Sequence, residues 1–212
     1  MSFVRVDMPK FSGTALVAKA ITDVIGSSVL LILLGLPMLL IAFVIRRGSP
    51  GPALFKQERV GLDGRTFLCW KFRTMYVDAD ARRDELRAAH GDDGATFKMA
   101  DDPRITRIGR FLRRFSLDEL PQLINVWRGD MSLVGPRPHP RDDVERYDDL
   151  AVRRLRARPG MTGLWQVRGR SDLSWEESVR LDLYYVENWS LSMDFVILAS
   201  TVSAVVGGRG AY

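Results

Sequence analysis

From Val24 to Ile45 the chain runs for 22 residues without a charged side chain. As one helix this run would extend about 33 Å, against a hydrocarbon core of about 30 Å. It is too long for the h-region of a signal peptide and ends in Arg46 and Arg47, where a cleavage site would need small residues. A buried core helix is the alternative to a membrane segment. Pro37 divides the run, because proline has no N–H for the carbonyl four residues back and its ring crowds the preceding turn. The two pieces, 24–36 and 37–45, would reach only about 20 and 14 Å, so neither spans alone. Lysines before the run and arginines after it mark neither end as external. The pattern therefore predicts a kinked, re-entrant segment dipping into one leaflet, with both ends on the cytoplasmic side.

Other patterns are shorter. Residues 1–18 read as a linker, 19–47 as the re-entrant membrane unit and 48–212 as a catalytic domain on the cytoplasmic face. Ser49, Pro50, Gly51 and Pro52 force a turn. The runs LFKQERV and RTFLCWKF, joined by Gly61, Leu62, Asp63 and Gly64, predict a β-hairpin. Residues 78–89 read as a polar helix and 91–103 as a loop. Over 105–115, Ile105, Ile108, Phe111, Leu112 and Phe115 share one stripe while Arg104, just before it, and Arg107, Arg110, Arg113 and Arg114 cover much of the rest. That fits a helix at a membrane surface and equally a core-facing helix with a basic exposed face. The apolar run 193–206 is too short to span and suits packing or interfacial contact. The fold class is α+β: a mostly helical monotopic membrane protein with a kinked re-entrant helix, a small β-hairpin and amphipathic interfacial helices.

The 212 residues make one domain of ordinary size, with a net charge of +5 that points to a negatively charged partner. The lone Cys69 excludes an intrachain disulfide.

The stretch SLDELP at 116–121 carries the candidate chemistry. Ser116 and Glu119 match a capping box, which would make both acids structural. Pro121 would then fall at the fifth helical position, where its ring collides with a carbonyl, so the helix is better started near Pro121 with Asp118 and Glu119 before it. Carboxylates among arginines can form salt bridges, bind a divalent cation, or attack phosphorus. Arg137 on the GPRP turn, and Lys71 and Arg73 at the end of the hairpin, are further charged groups that phosphate chemistry would use.

Three long motifs in order, KFRTM at 71–75, RITRIGRFLRRFSLDELPQLINVWRGDMSLVGPRP at 104–138 and PGMTGLWQVRGR at 159–170, resemble the bacterial sugar transferase family. These are monotopic polyprenyl-phosphate sugar-1-phosphate transferases, also called phosphoglycosyl transferases. The resemblance implies that Asp118 is the nucleophile, that Glu119 places Mg2+ or handles a proton, and that both acids are the metal ligands. It carries Lys71, Arg113 and Arg137 over as phosphate and nucleotide contacts, with Arg73 and Arg170 of the same motifs as further substrate-binding candidates, and Pro37 as the membrane kink. It implies a UDP-sugar donor, a polyprenyl (undecaprenyl-type) phosphate acceptor, a lipid bilayer partner, no nucleic acid, homodimerisation left open, and a place at the bacterial inner (plasma) membrane in exopolysaccharide or glycan assembly. Leu36 stands where many members have serine before the proline, and Arg168 where a smaller or amide residue is commoner. The start resembles the joint after an N-terminal region of larger members, and the GRGAY ending resembles a natural terminus. A membrane-attached nucleotide-sugar hydrolase and a non-enzymatic basic adaptor are the rival readings.

Overall fold

The computed structural model describes residues 13–79, 81, 102–169 and 173–206. Helix α1 (Thr14–Gly48) begins inside the expected linker and continues through Pro37 as one helix. One stripe of α1 faces the body along its whole length. Lys19, Asp23, Ser27 and Ile45 are buried, while Leu31, Leu34, Met38, Ile41 and Ala42 pack on the two hydrophobic clusters. These positions recur every three or four residues, the period of one helix face. The opposite face stays apolar and uncovered, with Ile32 at 80% and Leu36 and Leu39 at 69% exposure.

Charged side chains tie the first turns of α1 down. Lys19 Nζ donates to Asp194 Oδ2 at 2.6 Å and to the Val134 carbonyl at 3.1 Å. Asp23 Oδ1 accepts from Ser132 Oγ at 3.0 Å and from the Leu133 amide at 2.9 Å. At the other end Ile45 packs with Ala53, Phe72 and Leu112. Both ends of the apolar helix therefore rest on the same globular body.

Strands β1 (Leu54–Val60) and β2 (Thr66–Phe72) form the expected antiparallel hairpin, with Gln57 opposite Cys69 and Val60 opposite Thr66. The connection takes five residues, because Asp63 adopts a left-handed conformation (φ 54°) in a tight turn before Gly64. The outer edge of β2 is closed by a side chain. Asn125 Oδ1 accepts from the Trp70 amide at 3.0 Å and its Nδ2 donates to the Leu68 carbonyl at 2.8 Å.

Helix α2 (Arg107–Arg114) starts two residues later than the apolar stripe predicts. Thr106 caps it by accepting from the Gly109 amide, and Ile105 is spent on a bridge to Met75. Its stripe also splits: Leu112 is buried, Ile108 packs beneath the helix, and Phe111 is 52% exposed among the arginines.

Helix α3 (Gln122–Arg128) leads to β3 (Ser132–Val134), which pairs in parallel with β4 (Gly160–Thr162). Short helices α4 (Arg141–Val144) and α5 (Asp149–Val152) fill the crossover. After α6 (Leu164–Arg168) come α7 (Trp175–Asn188), opened by a capping box of Ser174 and Glu177, and α8 (Leu191–Val206). The architecture is α+β and mostly helical, around a core that includes Leu123, Val126, Met131, Val134, Tyr185 and Ile197. Most of the expected 78–89 helix and 91–103 loop lies outside the described residues.

Candidate active site

The dyad sits where proline geometry places it, before α3. Pro121 is the N-cap of α3, and Leu117–Glu119 form a single 3-10 turn ahead of it. Ser116 makes no capping hydrogen bond and lies in the left-handed region at φ 54° and ψ 22°. A non-glycine residue there costs free energy that the surrounding packing must offset. The turn that follows brings the Glu119 carboxylate to Lys71 at the end of the hairpin.

Glu119 is the hub of an ion cluster. Its Oε1 accepts from Lys71 Nζ at 2.9 Å and from Arg137 Nη2 at 2.7 Å, and its Oε2 lies 3.4 Å from Arg137 Nη1. Burial alone would raise its pKa, but the charges of Arg137 and Lys71 win and hold it far below the carboxylate range. Arg137 is in turn pushed above its ordinary value, chiefly by Glu119. Asp118 differs. It is 9% exposed and makes no hydrogen bond among the described residues, and burial followed by the charge of Glu119 raises its pKa. Lys71, Arg113 and Arg137 oppose that rise. One acid is fully neutralised by partners, and the other is kept uncommitted beside them.

Arg113 is aimed by the KFRTM segment: its Nε donates to Thr74 Oγ1 at 2.9 Å. Gly109 lets α2 press onto that segment, because a Cβ there would collide with the Thr74 carbonyl. Arg73 has a different place from the one its motif suggests. Its guanidinium is buried and donates to the carbonyls of Pro50 and Ser49 and to Ser49 Oγ, the last two at 2.9 and 3.0 Å. It bonds the turn that ends α1, not the dyad. Gly51, at φ +107°, leaves the room that Arg73 needs. Arg170 lies outside the described residues.

Arg137 is held by a backbone rail. The Val134 carbonyl accepts from Lys19 Nζ and, at 2.9 Å, from the Tyr185 hydroxyl. The Pro136 carbonyl accepts from the Gly160 amide at 2.9 Å, and the His139 carbonyl from the Val60 amide at 3.0 Å. Between them the carbonyls of Arg137 and Pro138 accept from Arg154 Nη2 and Arg59 Nη1, each at 3.3 Å. The chain crosses here only because Gly135 and Gly160 lack side chains. Arg154 is itself buried against Asp182, Nη2 to Oδ2 at 2.6 Å, and against the Tyr147 and Trp175 rings.

The sequence reading missed Arg59, Thr74 and Arg154. Only the register of β1 against β2 could have flagged Arg59, since it puts residue 59 on the same hairpin face as Cys69 and Lys71.

The residues present fit Mg2+. This ion is commonly held by one or two carboxylates together with substrate phosphates and waters. Asp118 offers uncommitted oxygens, and Glu119, with about four lone-pair sites, keeps spare capacity after its contacts to Lys71 and Arg137. No group of three or more metal-ligating side chains occurs among the described residues.

The family model described as bacterial sugar transferase matches residues 14–208. The chain belongs to that family. Galactosyl transferase CpsE of Streptococcus agalactiae is 42% identical over 99% of this chain and 47% of its own length. Exopolysaccharide production protein ExoY of Rhizobium meliloti is 45% identical over 92% of this chain and 88% of its own. UDP-glucose:undecaprenyl-phosphate glucose-1-phosphate transferase of Caulobacter vibrioides is 44% identical over 92% of this chain and 72% of its own. The chain thus spans about half of one relative and most of another.

Proposed function

We propose that this bacterial sugar transferase moves a sugar-1-phosphate from a UDP-sugar to polyprenyl phosphate at the cytoplasmic face of a membrane. The observation that carries this reading is the asymmetry of the dyad: Glu119 is charge-neutralised by Lys71 and Arg137, whereas Asp118 lies beside Arg113 with no hydrogen bond among the described residues. A carboxylate left without a partner among cations is suited to nucleophilic attack on a phosphorus whose charge those cations offset. The relatives' names, which include an undecaprenyl-phosphate glucose-1-phosphate transferase, support the same substrates.

An Asp118 oxygen forms a bond to the sugar-bearing phosphorus, while the bond from that phosphorus to the bridging oxygen breaks and UMP leaves with the electron pair. A polyprenyl phosphate oxygen then attacks the same phosphorus and releases the Asp118 carboxylate. Arg113, Lys71 and Arg137 neutralise the diphosphate, the arginines with forked donors that match phosphate oxygens. Mg2+ held by Asp118 and Glu119 would supply further charge neutralisation.

The seating of α1 supports one-sided membrane contact. A spanning helix separates its ends by the bilayer, but here Lys19 and Ile45 both pack on the catalytic body while the outward face is apolar. Re-entry into one leaflet fits that contact pattern.

The test uses purified protein in lipid nanodiscs with magnesium and a panel of UDP-sugars labelled on the sugar-linked phosphate. Covalent label on the wild type, absent in Asp118→Asn and discharged by polyprenyl phosphate, is expected. Release of free sugar phosphate that ignores the lipid would make the protein a hydrolase.

A further inference from the structure

The ion cluster around the dyad carries more positive charge than its carboxylates balance. Lys71 and Arg137 share Glu119, and Arg113 lies beside Asp118. Arg59 is the fourth cation, and it has no carboxylate within ion-pair distance among the described residues. Gln57 Oε1 accepts from its Nη2 at 2.5 Å, and the Pro138 carbonyl takes Nη1 at 3.3 Å. Neutral acceptors orient this guanidinium without cancelling its charge.

Its position is specific. In the hairpin register Arg59, Gln57, Cys69 and Lys71 share one face. Cys69, buried in the middle of that face, feels Lys71, Arg59, Glu119 and Arg137 together. Burial first, and then repulsion from Arg137, depress the Arg59 pKa. Two guanidiniums that repel each other are better held together when an anion joins them. Arg59 interacts electrostatically with Arg137, Cys69, Asp143 and Glu119, none of the acids within ion-pair distance, whereas the groups acting on Asp118 are Glu119, Lys71, Arg113 and Arg137. Its bond to the Pro138 carbonyl, the residue next to Arg137, places Arg59 on the Arg137 side of the site.

We propose that Arg59 binds the phosphate that departs with the nucleotide, forming with Arg137 a clamp for the leaving nucleoside monophosphate. This rests on the transfer reading above. When the bond between the sugar-bearing phosphorus and the bridging oxygen breaks, the electron pair stays on that oxygen and the departing phosphate goes from one negative charge to two. The clamp meets that extra charge with a donor fork not already committed to a carboxylate.

The experiment compares wild type, Arg59→Gln, Arg59→Lys and the surface control Arg128→Gln in nanodiscs. It measures UMP binding by calorimetry and the two half-reactions by label. Arg59→Gln is expected to weaken UMP about 10- to 100-fold, the loss of one charge-assisted contact. It is also expected to slow formation of the labelled aspartyl intermediate by a similar factor, while discharge by polyprenyl phosphate proceeds at the wild-type rate. Damage that is only structural would slow both half-reactions and so overturn the proposal, as would unchanged UMP binding. A wild type that neither labels nor binds UMP would overturn the transfer reading first, and this one with it. If Arg59→Gln does not fold, Arg59→Lys, which keeps the charge and loses the fork, is read on the same split between half-reactions.

Discussion

Asp118 and Glu119 are consecutive in one tight turn, yet their carboxylates occupy opposite electrostatic settings. Asp118 has a raised folded pKa, so its favourable contribution to stability exists below its ordinary 3.8 and is lost as pH rises through the folded value. Glu119 has a depressed one, so its contribution is present above 4.5 and is lost as pH falls toward the folded value. At pH 7 Asp118→Asn should therefore raise Tm while abolishing the covalent label. Glu119→Gln should lower stability by about 1.5–3 kcal/mol, with a gap to wild type that narrows in acid. Thermal denaturation across pH checks both, and a lower Tm for Asp118→Asn contradicts the unfavourable burial of the ionised Asp118 carboxylate.

The contact between α1 and α8 makes a second prediction. Lys19→Met leaves Asp194 buried without its cation and should cost about 3–5 kcal/mol. The double variant with Asp194→Asn should cost less than the sum of the singles. Additive losses in denaturant unfolding would mean the 2.6 Å pair does not couple the two helices.

Asn125 is fully buried, and its side chain serves as the missing neighbour of β2. Asn125→Leu strands the Trp70 amide and the Leu68 carbonyl, so a loss of about 1–3 kcal/mol per stranded group is expected. Faster hydrogen exchange at Trp70 is the local readout, and unchanged exchange would show that the edge is satisfied another way.

Asp182 gives a pH signature away from the dyad. Burial raises its pKa to about 6, against the opposing pull of Arg154. The stability this shift confers is present below 3.8 and is lost as pH rises through about 6. Wild type should lose stability relative to Asp182→Asn between pH 4 and about 7. A constant difference across that window would mean that Asp182 stays ionised against Arg154.

Ser116 adopts φ 54°, which glycine reaches without a Cβ penalty. Ser116→Gly should leave stability unchanged or raise it slightly. Ser116→Val should cost about 1–3 kcal/mol and reduce labelling, because the turn would carry the dyad out of line. Equal Tm values for the two variants would remove the role given to this residue.

The parts of this protein that the sequence determined by itself are those governed by local rules. A 22-residue uncharged run, two strand-like runs around a glycine turn, and a proline after two acids require only periodicity and proline sterics to be read. The dyad, Lys71, Arg113 and Arg137 were legible as candidates for the same reason: each lies in a contiguous motif. Tertiary structure decided which charge meets which. Arg73 and Lys71 are two residues apart in one motif, yet Lys71 joins Glu119 while Arg73 closes the turn after α1. Arg59 enters the site through strand register, and Lys19 reaches Val134 across 115 positions. Partner choice among buried charges depends on desolvation and on atoms brought together from distant segments, so no local pattern in the chain encodes it.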